Sequence, residues 1–141
     1  MYPLNPNFDI AYDRFEIAYY LLPTTTKQII GKPIKIGKLL VAQSDFPRKM
    51  NWEDAKIFCA DLGEGWRLPT KEELNILYES KVAIVASANN YYWSSTESGD
   101  STAWLQRFSN GNDYYTNKSS KLYVRAVRAL EQSAGSPNSN T

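Results

Sequence analysis

From Tyr91 onward the apolar residues of this chain come only in short runs: Tyr91 to Thr96, Ala103 to Phe108, Asn112 to Thr116 and Leu122 to Arg128. Runs of this length suit β-strands and fall short of the roughly ten residues that a helix needs. Between them stand Ser, Asn, Gly and Asp, each of which favours a turn for its own reason. Asn110-Gly111 lies between two of the runs, and both residues tolerate positive φ, so a two-residue type I′ hairpin is predicted there. Leu122, Val124 and Val127 make the last run apolar enough for a sheet interior.

Upstream the periodicity changes. Asn51 is placed to cap a helix whose apolar positions are Trp52, Ala55, Phe58, Cys59 and Leu62, with Gly63 or Gly65 as a left-handed stop. Thr70 and Glu73 have capping-box spacing after Pro69, and Leu74, Leu77 and Tyr78 then share one face. Pro33 to Val41 alternates Ile34 and Ile36 with Lys35, which predicts a half-buried strand with Lys32, Lys35 and Lys38 on its solvated side. Phe8, Tyr12, Phe15, Tyr19 and Leu22 recur at helical spacing while their aromatic content favours strand; helix is the reading adopted for this extension, residues 1–30. The polar tail 131–141 is expected to be disordered. Helices first and strands after give an α+β domain over residues 31–130.

Composition narrows the chemistry. At 141 residues, 43% hydrophobic and 22% charged, the chain is expected to form one globular core. A net charge of +1 supplies no field for nucleic acid or anionic lipid. The apolar run Ile17 to Leu22 is too short for membrane insertion, and Met1 to Phe8 lacks the features of a secretory signal. Histidine is absent, which removes the commonest general base and zinc ligand. Cys59 is the only cysteine, so no internal disulfide forms, and its place on a helical apolar stripe predicts a buried thiol. Glu53/Asp54 and Glu72/Glu73 fall in first turns of predicted helices, where the macrodipole favours negative charge, and no acid has a visible partner to shift its pKa. No catalytic residue, metal site or cofactor is assigned.

The turn Gly65-Trp66-Arg67-Leu68-Pro69-Thr70 sets an aromatic, a forked donor, a rigid φ and a helix cap side by side. It reads as a structural joint, with Arg67 paired to a carbonyl or carboxylate. Together with Asn51-Trp52-Glu53-Asp54-Ala55, Tyr92-Trp93-Ser94-Ser95-Thr96, Ala103-Trp104, Asn110-Gly111 and Tyr123-Val124-Arg125-Ala126-Val127-Arg128, this order resembles one bacterial and phage family. That family is the C-type-lectin-like domain found at the C-terminus of bacterial collagen-like proteins and in variable proteins of diversity-generating retroelements. The resemblance covers roughly Gly31 to Leu130 and implies a C-type-lectin-like fold, two helices on short antiparallel strands, here without disulfides. The same turn resembles the formylglycine-generating oxidoreductases, which need a cysteine pair that this chain lacks. The calcium tripeptides of animal lectins are missing as well.

The resemblance further implies a constant scaffold that displays diversified side chains. The framework candidates are Trp66, Arg67, Leu68, Pro69, Trp93, Trp104, Phe108, Gly111, Val124 and Arg125. The candidate ligand-binding residues between them are Ser98, Asp100, Ser101, Thr102, Leu105, Arg107, Ser109, Asn112, Asp113, Tyr114, Tyr115, Thr116, Asn117, Ser119 and Ser120. Tyr gives contact area at low entropic cost while Ser, Asn and Gly adapt their hydrogen bonds, so this vocabulary suits a surface that contacts a protein or glycan. Two rival readings are a degenerate oxidoreductase relying on Cys59, and a structural tip or assembly domain of a surface fibre or phage tail that forms a homo-oligomer. The family resemblance implies display on a cell or phage surface.

Overall fold

The computed structural model describes residues 26–84 and 90–130. The helix expected over Phe8 to Leu22 and the tail 131–141 lie outside these residues. The elements are α1 (residues 26–30), β1 (Ile34–Ile36), β2 (Leu39–Val41), α2 (Trp52–Asp61), α3 (Lys71–Glu79), α4 (Lys81–Ile84), β3 (Tyr91–Glu97), β4 (Thr102–Arg107), β5 (Asp113–Asn117) and β6 (Val127–Ala129). They form two antiparallel sheets of three strands each, β1-β2-β6 and β3-β4-β5. Isolated bridges at Arg67 with Val127 and Tyr92 with Tyr123 stitch the end of the chain to both halves.

Both long helices start where their caps direct. Asn51 accepts from the Asp54 N–H at 2.8 Å. Thr70 accepts from the Glu73 N–H at 3.1 Å while Glu73 accepts from the Thr70 N–H at 2.9 Å, which completes the capping box. The helices sit on opposite faces of β3-β4-β5. On one face α2 buries Trp52, Ala55, Phe58 and Cys59 against Trp93, Ala103 and Leu105. On the other α3 buries Leu74 and Leu77 with Tyr92 and Phe108.

Buried polar groups find specific partners. The indole N–H of Trp52 donates to the Ser94 carbonyl at 2.8 Å, and that of Trp93 to the Met50 carbonyl at 2.9 Å. Arg125, 2% exposed, donates from Nε to Asp45 Oδ1 at 2.7 Å and from Nη1 to the carbonyls of Ile84 at 2.9 Å and Ala42 at 3.2 Å. Tyr92 Oη donates to the other oxygen of Asp45 at 2.6 Å.

Three details differ from the sequence reading. Pro33 to Val41 is a hairpin rather than one strand, because Gly37 at φ 59° turns β1 back onto β2. The loop at Asn110-Gly111 is wider than two residues: Arg107 donates to the Asn112 carbonyl at 3.0 Å and accepts from the Gly111 N–H at 2.7 Å, which leaves residues 108–111 outside the ladder. Phe108 fills that loop from beneath, 1% exposed, so an extra residue is needed to reach the core. The run Leu122 to Arg128 is not one strand of the second sheet; only Val127–Ala129 is strand, and it pairs with β2.

Removing the guanidinium at position 125 strands the Asp45 carboxylate and two carbonyls without their donor. Arg125→Ala is therefore expected to cost about 3–5 kcal/mol, read as a lowered midpoint in urea unfolding, with Arg125→Lys recovering only part of it.

Candidate functional site

Cross-strand partners share a face, and the register of the second sheet therefore sorts its side chains. Tyr91 with Arg107, and Trp93 with Leu105 and Tyr114, point toward the α2 side. Tyr92 with Gln106 and Asp113, and Trp104 with Tyr115, point toward the α3 side. β5 is the outer strand, paired only to β4 within the sheet. Tyr114 is 40% exposed and Tyr115 61% exposed.

The structure brings Tyr114, Tyr115, Thr116, Asn117, Ser119 and Ser120 together along β5 and the turn that follows it. Ser98, Asp100, Ser101 and Thr102 join them at one end of the sheet, since Lys118 donates from its backbone to the Ser101 carbonyl at 2.8 Å. Lys118 Nζ also bonds Glu97 and the Asp100 carbonyl and lies 4.4 Å from the centre of the Trp52 ring, which pins this turn to the start of α2. The hydrogen bond from Lys118 and its positive charge hold the exposed Glu97 carboxyl below its usual range. Ser109, Asn112 and Asp113 sit at the opposite end, in and after the β4–β5 loop. The expected residues thus follow the length of one strand and are not a single patch.

Pleating corrects two assignments. Leu105 was expected at the surface and Trp104 inside, but Leu105 is 4% exposed, opposite Trp93, while Trp104 is half-buried on the other face. Trp104 meets the ring of Tyr115 edge-on at 5.2 Å between centres and carries Lys71 Nζ 3.8 Å from its own centre. Tyr114 and Tyr115, read as neighbours on one surface, are on opposite faces because consecutive strand residues alternate.

On the α2 side lies an open recess of about 290 Å³ floored by Leu105 and Leu122 and bordered by Tyr91, Tyr114, Tyr115, Thr116 and Ser120. The rings of Tyr91 and Tyr114 are 6.3 Å apart, and the Arg107 guanidinium stands 5.3 Å from the Tyr91 ring centre. Hydrogen bonding from Asn112 and Asn110, with the nearby charge of Arg107, holds the Tyr114 hydroxyl below its ordinary pKa. Tyr91 and Leu122 were not among the expected site residues. The apolar look of the last run, with Leu122, Val124 and Val127, and the place of Tyr91 at a strand start hid their exposure.

The profile of the family described as the Lcl C-terminal domain matches residues 35–128. This chain belongs to the Lcl C-terminal domain family. Among solved structures, the domain is similar to botrocetin, with 11% identity and a TM-score of 0.56 over 71% of this chain and 98% of that one. It is similar to the snake venom toxin convulxin, with 12% identity and a TM-score of 0.56 over 72% of this chain and 98% of that one. At such identities the likeness is one of fold, and the fold is C-type-lectin-like. No curated protein matches the chain.

The motifs that carried the family resemblance prove to be joints of this Lcl-type domain. Arg67 forms a two-pronged bond to Glu73, at 2.7 and 3.0 Å, and also donates to the Leu68 carbonyl at 3.2 Å. Glu73 therefore does have a partner, contrary to the sequence reading, and the Arg67 hydrogen bond is the main cause that lowers its pKa. Ser95 donates to the Pro69 carbonyl at 2.7 Å and Thr96 Oγ1 accepts from the Lys71 N–H at 2.9 Å, so the bulged part of β3 is fastened to the same joint. Cys59 has no exposed surface, and burial pushes its thiol far up from the usual value. A thiol in that state is a poor nucleophile, which counts against the oxidoreductase rival. Among the described residues no group of three or more His, Cys, Asp or Glu is gathered to hold a metal ion.

Two outcomes are expected. Glu73 has a lowered pKa in the fold, so its contribution is present above the unfolded carboxylate value of about 4.3 and is lost as pH falls through the folded value. Glu73→Gln keeps the cap but loses the ion pair; its melting temperature should lie a few degrees below wild type near neutrality, and the gap should close under acid. The Cys59 thiol should resist iodoacetamide in the native protein and react only on unfolding, followed by mass spectrometry.

Proposed function

We propose that this Lcl-type domain is a target-recognition domain with no catalysis of its own, bounded by residues 31–130 and displayed on a bacterial cell or a phage. Its contact surface is the edge strand β5 with the turns at both ends, and its target is a protein or a glycan. The observation that carries this reading is the exposure of Tyr114 and Tyr115 on a strand whose backbone is held in register by β4, itself packed into the core through Ala103 and Leu105. Large aromatics at 40% and 61% exposure are poor choices for inert surface and good contact residues.

The polar residues around them are mostly Ser, Asn, Thr, Asp and Tyr. Adenine-directed mutagenesis of asparagine codons yields this vocabulary, which supports retroelement diversification. A near copy of the coding segment for Tyr91 to Arg128, differing almost only at adenines and lying beside a reverse-transcriptase gene, is the matching genomic observation. Botrocetin is known in complex with a von Willebrand factor A1 domain, which supports a macromolecular target for a fold of this kind.

On arrays of immobilised peptides, proteins and glycans the domain should give specific positives. The double variant Tyr114→Ala/Tyr115→Ala should lose at least about tenfold in affinity for them while its melting temperature stays within a few degrees. Positives undiminished in that variant, or none at all from the wild type, would overturn the reading. The outer edge of β5, which pairs with no further strand among the described residues, supports one alternative, an assembly domain whose neighbour completes the sheet. Light scattering that shows a stable oligomer with both tyrosines shielded would favour it.

A further inference from the structure

The recess on the α2 side has a property that the rest of β5 lacks. Its floor, Leu105 and Leu122, offers no hydrogen-bonding side chain, and Tyr91, Tyr114, Tyr115, Thr116 and Ser120 border it. At about 290 Å³ it is at the small end of ligand pockets, which run from roughly 300 to 1,000 Å³, so it has room for one or two side chains.

Arg107 stands beside it. Arg107 and Leu105 are two residues apart on β4 and share a face, and the guanidinium lies against Tyr91. Its Nε is buried without a hydrogen-bond partner, and among the described residues no carboxylate forms an ion pair with Arg107. Arg67 and Arg125, by contrast, are each held by an acid, Glu73 and Asp45. A guanidinium that is partly desolvated and uncompensated gains more from an incoming anion than a fully solvated one does.

Resting on the recognition reading above, we propose that this recess takes an apolar side chain of an extended peptide while Arg107, on the same face, binds a carboxylate two residues away in the same peptide. The floor of Leu105 and Leu122 favours an apolar side chain at the bottom of the recess, while the hydroxyls of Tyr91, Tyr114, Thr116 and Ser120 stay at its border. The edge of β5 adds a second reason. In the ladder Arg107 exchanges a bond with Asn112, so by alternation Tyr115 turns its N–H and C=O outward, where an extended backbone can pair with them.

The test uses the whole chain and fluorescence anisotropy. The probes are labelled heptapeptides with blocked ends that carry Leu and Glu two residues apart, in the patterns Thr-Thr-Leu-Thr-Glu-Thr-Thr and Thr-Thr-Glu-Thr-Leu-Thr-Thr to allow either strand direction, and counterparts carrying Gln or Lys for Glu, or Ser for Leu. One of the two Leu and Glu peptides should bind at least about tenfold more tightly than each of its counterparts. Arg107→Gln should bring the Glu and Gln peptides to within about twofold of each other without lowering the melting temperature, because the variant also removes an unsatisfied buried donor. Equal affinity for Glu and Gln peptides, no binding of any of them, or a preference for Glu that survives Arg107→Gln would overturn the proposal. Binding of sialylated sugars in place of the peptides, with the same dependence on Arg107, would overturn it in favour of a glycan carboxylate. Target capture that needs Tyr114 and Tyr115 but not Arg107 would leave the recognition reading in place and remove this one.

Discussion

The bidentate demands of one partly buried carboxylate organise much of this domain. Asp45 accepts from Arg125 on one oxygen and from Tyr92 on the other, and Arg125 reaches on to the carbonyls of Ala42 and Ile84. Four segments far apart in the chain, the loop after β2, the end of α4, the start of β3 and the run before β6, meet at this point. In a chain with one cysteine no covalent crosslink can do the same work. A charge held in a low-dielectric interior is favourable only when every donor has its acceptor, so the network tolerates little rearrangement. That intolerance fixes where β3 starts, and β3 fixes the register of the two strands beyond it.

The second level of constraint is the double packing of β3-β4-β5. With α2 on one face and α3 on the other, inward residues of β3 and β4 are committed to two cores, and only β5 retains side chains free of packing duty. The tryptophan clamp at Trp52 and Trp93 and the bond from the Lys71 N–H to Thr96 lock the helices to this sheet by hydrogen bonds as well as by buried area. Variation in the recognition strand is thereby separated from the stability of the rest.

Local punctuation in the sequence was enough to place the helices. Asn51, Thr70 and Glu73 act through bonds within one turn, and such bonds do not depend on the remainder of the fold. Strand positions were readable for the same reason, since Ser, Asn and Gly break the ladder locally. Three assignments gave way to turns and pairing, at Gly37, at the β4–β5 loop and at β6, and the others depend on which side of a pleat a residue takes. Leu105 and Trp104 exchanged roles because composition favours Trp as core, whereas the register with Trp93 decides otherwise. The recess was not readable at all: Tyr91 and Leu122 reach Tyr114 only through the sheet register and the bridge from Leu122 to Met50.

The alternation of Tyr114 and Tyr115 across β5 has a consequence for how such a strand can change over generations. Substituting any one position alters one face and leaves the opposite face as it was, so two surfaces can be tuned independently. Inserting or deleting a single residue would instead send every following side chain through the sheet to the other side, and would pull Gly111 away from Tyr78, whose ring leaves no room for a β-carbon there. Novelty in this strand is therefore open to spelling and closed to length.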